Sequence, residues 1–299
     1  MNVDLIAGLL TQRAPCLAGT SIEAAGEGDY CQAYAVNDEW IFLVAKHAEA
    51  ARSLMRVAAL LPALAPTLPL AIPEIVYAGE GTGLDPAFVG YRKIPGVELT
   101  ADRLNALPVE DQERCAADLA AFLREIHRFP VDLARQAGIP VCAYPFAATE
   151  DGMTDGTAEE QYRRDLDRIL SYSLLDQGTR DFCQRIMGQH LKELQSEAIS
   201  LTLLHGEVSQ DHVLFDPTTR RITGVIDFNG VVIGDPVRDL LYLYEDYGPA
   251  FLAAFLDHDP ITDRPRLLAK LHFFHEWHTA LRLLWALDHR YAPAIAHRL

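Results

Sequence analysis

Leu204-His205-Gly206-Glu207-Val208-Ser209-Gln210-Asp211-His212-Val213-Leu214-Phe215-Asp216, then Ile226-Asp227-Phe228, then Ile233-Gly234-Asp235-Pro236-Val237-Arg238-Asp239-Leu240, is the stretch that decides the reading of this chain. Leu201 to Leu204, Val213-Leu214-Phe215 and Ile222-Thr223-Gly224-Val225-Ile226 are β-rich runs, an island between segments of helical periodicity. Glu207 on a loop, His212 after it, and Asp227 after an apolar hairpin strand can converge at one strand edge. Phosphoryl transfer from a nucleotide requires such a group. A carboxylate orients the acceptor hydroxyl, and further ligands hold Mg²⁺ against the phosphates.

Outward from the island, the organisation changes near Gly96. Before it come short strands and one helix. Gln32-Ala33-Tyr34-Ala35-Val36 and Trp40-Ile41-Phe42-Leu43-Val44 flank Asn37-Asp38-Glu39, the composition of a hairpin turn. A helix is predicted from Ala48 to Leu61, stopped by Pro62. Glu74 to Ala78 and Ala87 to Arg92 are further strands, the second running into Ile94-Pro95-Gly96, a hinge. After Gly96 the pattern is helical. Cys115, Leu119, Phe122, Leu123 and Ile126 share one face of a helix from Val109 to Arg128. Thr157 and Glu160 form a capping box. Leu267, Leu268, Leu271, Phe274, His278, Leu281 and Trp285 recur at helical spacing between Asp263 and Tyr291.

The chain has 299 residues, enough for two domains or one bilobal one, and 49 % hydrophobic with 23 % charged residues excludes global disorder. Its 26 basic and 42 acidic residues give a net charge of −16, which repels nucleic acid and anionic lipid and attracts cations. No nucleic-acid or membrane partner is expected. The 5 cysteines, Cys16, Cys31, Cys115, Cys142 and Cys183, have no disulfide or zinc spacing, so a cytoplasmic location is expected. Four prolines break up the uncharged stretch from Val57 to Pro73, which excludes it as a membrane span.

The island resembles the aminoglycoside phosphotransferase family, antibiotic kinases of protein-kinase-like fold, and in particular its 2″-phosphotransferase and macrolide phosphotransferase branches. His205-Gly206-Glu207 through His212 stands for that family's H-G-D-x-x-x-x-N loop, Asp227 for its magnesium aspartate, and Gly234-Asp235-Pro236 with Asp239 for its G-D-P-x-x-D segment. Gly26-Glu27-Gly28 is similar to its nucleotide loop, Val36 to Trp40 to its first hairpin, Tyr91 to Gly96 to its hinge, and Phe122 to His127 to its core helix. The resemblance implies an α+β bilobal fold, with a small strand-rich N-lobe over 1–96 and a helical C-lobe over 97–299. It implies ATP or GTP as phosphoryl donor, Mg²⁺ on His212 and Asp227, and Glu207 as the catalytic carboxylate. The hinge at Arg92, Lys93 and Ile94 would meet the nucleobase through its backbone. The acceptor would be an aminoglycoside-like or other cationic small molecule, contacted by Asp211, Glu245 and Asp246.

Three positions depart from the family pattern. Glu207 replaces an aspartate, Leu43 stands where the phosphate-holding strand lysine belongs, and Val57 where its helix glutamate partner belongs. Lys46 is three residues beyond Leu43, on the opposite strand face unless a bulge intervenes. Losing both ion-pair partners together leaves no lone buried charge. A second reading follows, a kinase-fold protein that binds a small molecule, or does acid/base chemistry on Glu207, without nucleotide. Individual residues keep alternatives as well. Gly26 and Gly28 suit a phosphate cradle or a plain turn, and His212 a ligand or a core histidine. Asp235 and Asp239 read as loop-stabilising, and His272, His275 and His278 as helix packing more readily than as a metal site. Glu245 and Asp246 suit substrate binding or an exposed helix end.

Overall fold

In the computed structural model, β1 (Ile22–Glu27), β2 (Cys31–Val36), β3 (Trp40–Ala45), β4 (Ile75–Gly79) and β5 (Phe88–Arg92) form an antiparallel sheet in the order β1-β2-β3-β5-β4. The residues described are 6–8, 10–11, 14–17, 21–81, 86–142, 144, 157–194, 200–259 and 263–288. Strand alternation sorts the side chains. Tyr34, Val36, Trp40, Phe42 and Val44 pack in one core cluster with Phe88, whereas Ala33 and Leu43, a cross-strand pair, face the other way. Asn37 and Asp38 turn the β2–β3 hairpin with φ of 55° and 56°, a left-handed conformation these two residue types tolerate. Strand β1 has no clear alternation in the sequence and was not expected there; it is an exposed edge strand.

Helix α1 (Ala48–Leu64) passes through Pro62 rather than stopping there. An internal proline costs about 3 kcal/mol. Leu60, Leu61 and Leu64 are all buried around it, and each contributes about 1.5–3 kcal/mol of burial, so packing outweighs the break.

The helical part comprises α2 (Ala101–Asn105), α3 (Val109–Arg128), α4 (Val131–Gln136), α5 (Ala158–Ser171), α6 (Gln177–Leu194), α7 (Val237–Asp257) and α8 (Arg264–Asp288). Helix α3 is central: its predicted apolar face is fully buried, and it packs on α7. The Thr157 capping box closes with Thr157 Oγ1 accepting from the Glu160 N–H and Glu160 Oε2 accepting from the Thr157 N–H. In α8 the buried face is Leu271, Phe273, Phe274, Trp277, Ala280, Leu284 and Leu287. Trp285 is 56 % exposed, which corrects its expected place on the apolar stripe. The expected helix end at Tyr291 lies outside the described residues. No described helix is long and apolar enough to cross a membrane.

Between the helices, β6 (Val97–Glu98), β8 (Val213–Asp216) and β9 (Arg221–Val225) make one small sheet, and β7 (Thr202–Leu204) pairs with β10 (Val232–Gly234). Gly96 joins β5 to β6 at φ +136°, and a Cβ there would lie 2.7 Å from Thr223 Oγ1 and 3.1 Å from the Phe215 backbone. Gly96→Ala is therefore expected to lower unfolding free energy by about 1–3 kcal/mol, read as a shifted urea midpoint at unchanged slope.

Candidate active site

The loop 205–212 leaves β7 and enters β8, and Asp227 follows β9, so both ends of the hairpin deliver their residues to one edge. Gly206 makes the turn possible. Its φ is +89°, and a Cβ would lie 2.2 Å from the Gly230 carbonyl. His205, wholly buried, bridges the two segments: Nε2 is 3.2 Å from the Ile226 carbonyl, and Nδ1 is 3.3 Å from the Glu207 backbone N. A carbonyl accepts and an N–H donates, so the pairing selects the neutral tautomer protonated on Nε2. Burial pushes the His205 pKa down to about 4, in keeping with a neutral ring.

Asp239 holds the loop from below. Its Oδ1 accepts from the Gly206 N–H at 2.7 Å and Oδ2 from the His205 N–H at 3.1 Å, with His127 Nε2 at 2.9 Å. Asp235 pairs with Lys270 and accepts from the Val237 N–H. Both acids serve the scaffold.

His212 Nδ1 lies 2.9 Å from the Glu207 carbonyl, so Nδ1 carries the proton. The Nε2 lone pair then faces Asp227 Oδ2, 3.5 Å away. Asp227 Oδ1 accepts from the Asn229 backbone and side-chain N–H groups at 3.2 and 2.8 Å, leaving Oδ2 for a cation. An imidazole nitrogen and a carboxylate oxygen so opposed fit a divalent ion whose other ligands are phosphate and water. No group of three or more His, Cys, Asp or Glu ligands exists among the described residues, so the protein alone does not complete a cage. Burial raises the Glu207 carboxyl pKa above its ordinary 4.5, and Asp227 and Asp211 push the same way against His212 and Arg238.

These residues line a cleft of about 1010 Å³ that also takes in Gly26, Gly28, Leu43 and Asp211. Lys46 does not line it. The β2–β3 register has no bulge, and Lys46 Nζ pairs with Glu27 Oε1 at 2.7 Å beside the glycines. Val57 is buried in the core. Helix α1 instead presents Glu49, Ser53 and Arg56 to the cleft, at the i, i+4, i+7 spacing of one polar helix face. The sequence reading missed all three; that spacing was the available signal.

At the hinge, Arg92 stacks on Trp40 with its guanidinium carbon 4.7 Å from the ring centre, and Lys93 pairs with Asp38. Both side chains turn toward the β2–β3 hairpin, and Ile94 packs near Gly224. None of the three lines the cleft. Glu245 and Asp246 are also committed elsewhere; they sit half-buried in the last turn before α7 breaks at Gly248, whose φ is 83° and ψ 176°. Glu245 Oε1 meets His278 Nδ1 at 2.9 Å and His275 Nδ1 at 3.1 Å, while Oε2 accepts from Arg282 at 2.7 Å. Burial opposes ionisation of Glu245, but these partners outweigh it and hold its pKa down to about 2. Asp246 Oδ2 accepts from the Gln210 N–H at 2.8 Å and so anchors the loop.

Comparison with known proteins follows the same lines. The model of a phosphotransferase enzyme family matches residues 21–274. An aminoglycoside 3′-phosphotransferase of Streptomyces fradiae is 23 % identical over 194 residues, which are 62 % of this chain and 65 % of that protein, just under two thirds of its length. The GDP and kanamycin complex of APH(2″)-IIIa superposes with a TM-score of 0.86 at 29 % identity, over 99 % of this chain and 95 % of that one. A macrolide 2′-phosphotransferase type I shares the fold at a TM-score of 0.70 and 20 % identity, over 100 % and 98 % of the two chains. With the matched span running from the first sheet strand into α8, and the family's loop built here from His205 to His212, this chain belongs to the phosphotransferase enzyme family.

Proposed function

We propose that this chain transfers the γ-phosphoryl group of a purine nucleoside triphosphate to a hydroxyl of a small, glycoside-like molecule. The observation that carries the reading is the convergence of Glu207, His212 Nε2 and Asp227 Oδ2 on one cleft. GTP is the favoured donor, with ATP the alternative, because the solved relatives at 28–29 % identity are GDP complexes. Kanamycin in one of them supports an acceptor rich in hydroxyls.

His212 and Asp227 would hold Mg²⁺, which when bound neutralises phosphate charge and aligns the β- and γ-phosphates. Gly26, in β1, and Gly28, in the β1–β2 turn, border the cleft, where the lack of side chains would let phosphate approach the backbone; the Gly28 N–H itself is bonded to the Cys31 carbonyl at 3.0 Å. At the hinge, the Lys93 N–H is bonded to the Glu39 carbonyl and is not available to a nucleobase. Glu207 orients the acceptor hydroxyl and takes its proton, so it must be ionised. With its pKa raised, activity falls as pH drops through a value above 4.5. Glu207→Gln is expected to lower transfer about 10²–10⁴-fold and to abolish that acidic limb, as read in a pH–rate profile.

The test of the reading itself is Mg²⁺-dependent thermal stabilisation by millimolar GTP or ATP, together with transfer of labelled phosphate to a panel of hydroxyl-bearing acceptors. Absence of any nucleotide shift would overturn it. One observation favours a second reading: Leu43 and Val57 leave β3 and α1 without the ion pair that grips phosphate. A chain that ignores nucleotide yet binds small molecules in this cleft would be the remodelled, nucleotide-independent protein.

A further inference from the structure

We infer that the acceptor carries an anionic group, a carboxylate or a phosphate monoester, gripped by Arg238 and Arg282, with an apolar ring against Leu281 and Trp285. The inference rests on the phosphoryl-transfer reading above and reverses the sign of acceptor charge expected from net composition.

The cleft wall built by α7 and α8 presents Arg238, Tyr242, His278, Leu281, Arg282 and Trp285. Arg238 and Glu207 line the same cleft. The Tyr244 ring meets His272 and the Tyr242 ring meets His278 at 5.9 Å, so α7 and α8 run antiparallel, and Arg238, one turn before Tyr242, comes to the same end of the wall as Arg282, one turn after His278. No ion pair joins Arg238 to a carboxylate among the described residues. Arg282 spends one nitrogen on Glu245, and a guanidinium has five donors. Glu245 of α7 does not line the cleft and is already shared among Arg282, His275 and His278.

The remaining acids of the cleft sit on other elements. Glu27 ends β1, Asp29 lies in the β1–β2 turn, Glu49 on α1, Glu98 on β6, Glu207 and Asp211 in the loop after β7, and Asp227 after β9. Glu27 is paired with Lys46 and Glu49 accepts from the Tyr30 hydroxyl. A polyamine seated on the α7–α8 wall would set ammonium groups against two arginines, a like-charge contact costing several kcal/mol. A carboxylate or phosphate there forms charge-assisted, fork-shaped hydrogen bonds instead.

The experiment compares probes of similar shape and different charge by calorimetry on the whole chain with Mg²⁺ and GDP. Hydroxyphenylacetate and phenyl phosphate are anionic, tyrosol is neutral, and tyramine and kanamycin are cationic. At least one anion is expected to bind about tenfold or more tightly than tyrosol, with both amines weaker still. Preference for hydroxyphenylacetate over phenyl phosphate, or the reverse, identifies the anionic group. Arg238→Gln and Arg282→Gln should each erase most of the anion preference, and a retained cooperative melting transition shows that the variants are folded. Tighter binding of tyramine or kanamycin, an anion preference that survives both substitutions, or no binding of either anion at millimolar concentration overturns the inference. Mg²⁺-dependent stabilisation by GTP is read in parallel. A chain that binds GTP but prefers amines keeps the transferase reading and loses this one; a chain that ignores GTP but prefers the acids does the opposite.

Discussion

Asp239→Ala is expected to destabilise the fold by about 3–5 kcal/mol, the largest single-site effect on stability anticipated in this protein. The Asp239 side chain is fully buried. Removing it strands the backbone N–H groups of His205 and Gly206 and the His127 ring nitrogen, all of which point at it. A buried donor without a partner costs about 1–3 kcal/mol, and three such groups account for the total. Water has little access there to take the place of the carboxylate. The measurement is chemical denaturation at neutral pH; a change under 1 kcal/mol would mean that the loop does not depend on this acid.

The pH dependence has a definite sign. Burial pushes the Asp239 pKa up, but the hydrogen bond and charge of His127, with His205 and Gly206, outweigh it and hold the carboxyl below its ordinary 3.8. A carboxyl depressed in the folded state contributes stability that is present above its unfolded pKa and is lost as pH falls through the folded value. The wild-type protein should therefore lose this contribution below pH 3.8, and Asp239→Ala should have a flatter acid limb.

Elements with strong periodicity were legible from the residues alone. The α3 stripe, the β2–β3 hairpin and the Thr157 cap each appear where local spacing and capping chemistry put them. The loop 205–212 with Asp227 was legible too, because one hairpin carries both ends. What the sequence hid depends on contacts across long separations. Glu245 reads as an available acid until α8 is folded beside it and delivers His275, His278 and Arg282. Arg56 reads as a surface residue of an amphipathic helix until α1 is laid along the cleft. Pro62 reads as a stop because local propensity does not include the burial of Leu61 and Leu64. The Leu43 and Val57 replacements were visible in the sequence, but the fate of Lys46 was not, since its pairing with Glu27 needs the β1 edge strand that alternation did not reveal.

Asp227→Asn separates the chemistry of the site from its folding. Asp227 occupies the left-handed region at φ 62° and ψ 71°, where asparagine is tolerated as well as aspartate. The amide oxygen can still accept from the Asn229 N–H groups, and the side chain is only partly buried. Stability without ligand should thus change by less than about 0.5 kcal/mol, as for surface substitutions generally. The lost charge is the one facing His212 Nε2, the place assigned to Mg²⁺. Ion-mediated stabilisation of phosphate charge amounts to several kcal/mol, equivalent to a rate loss on the order of 10³-fold or more. The expected result is an unaltered melting temperature for the unliganded protein, no added stabilisation when Mg²⁺ accompanies GTP, and no measurable transfer. Full Mg²⁺-dependent stabilisation in Asp227→Asn would show that the ion sits elsewhere and that the paired imidazole and carboxylate do not form the metal site.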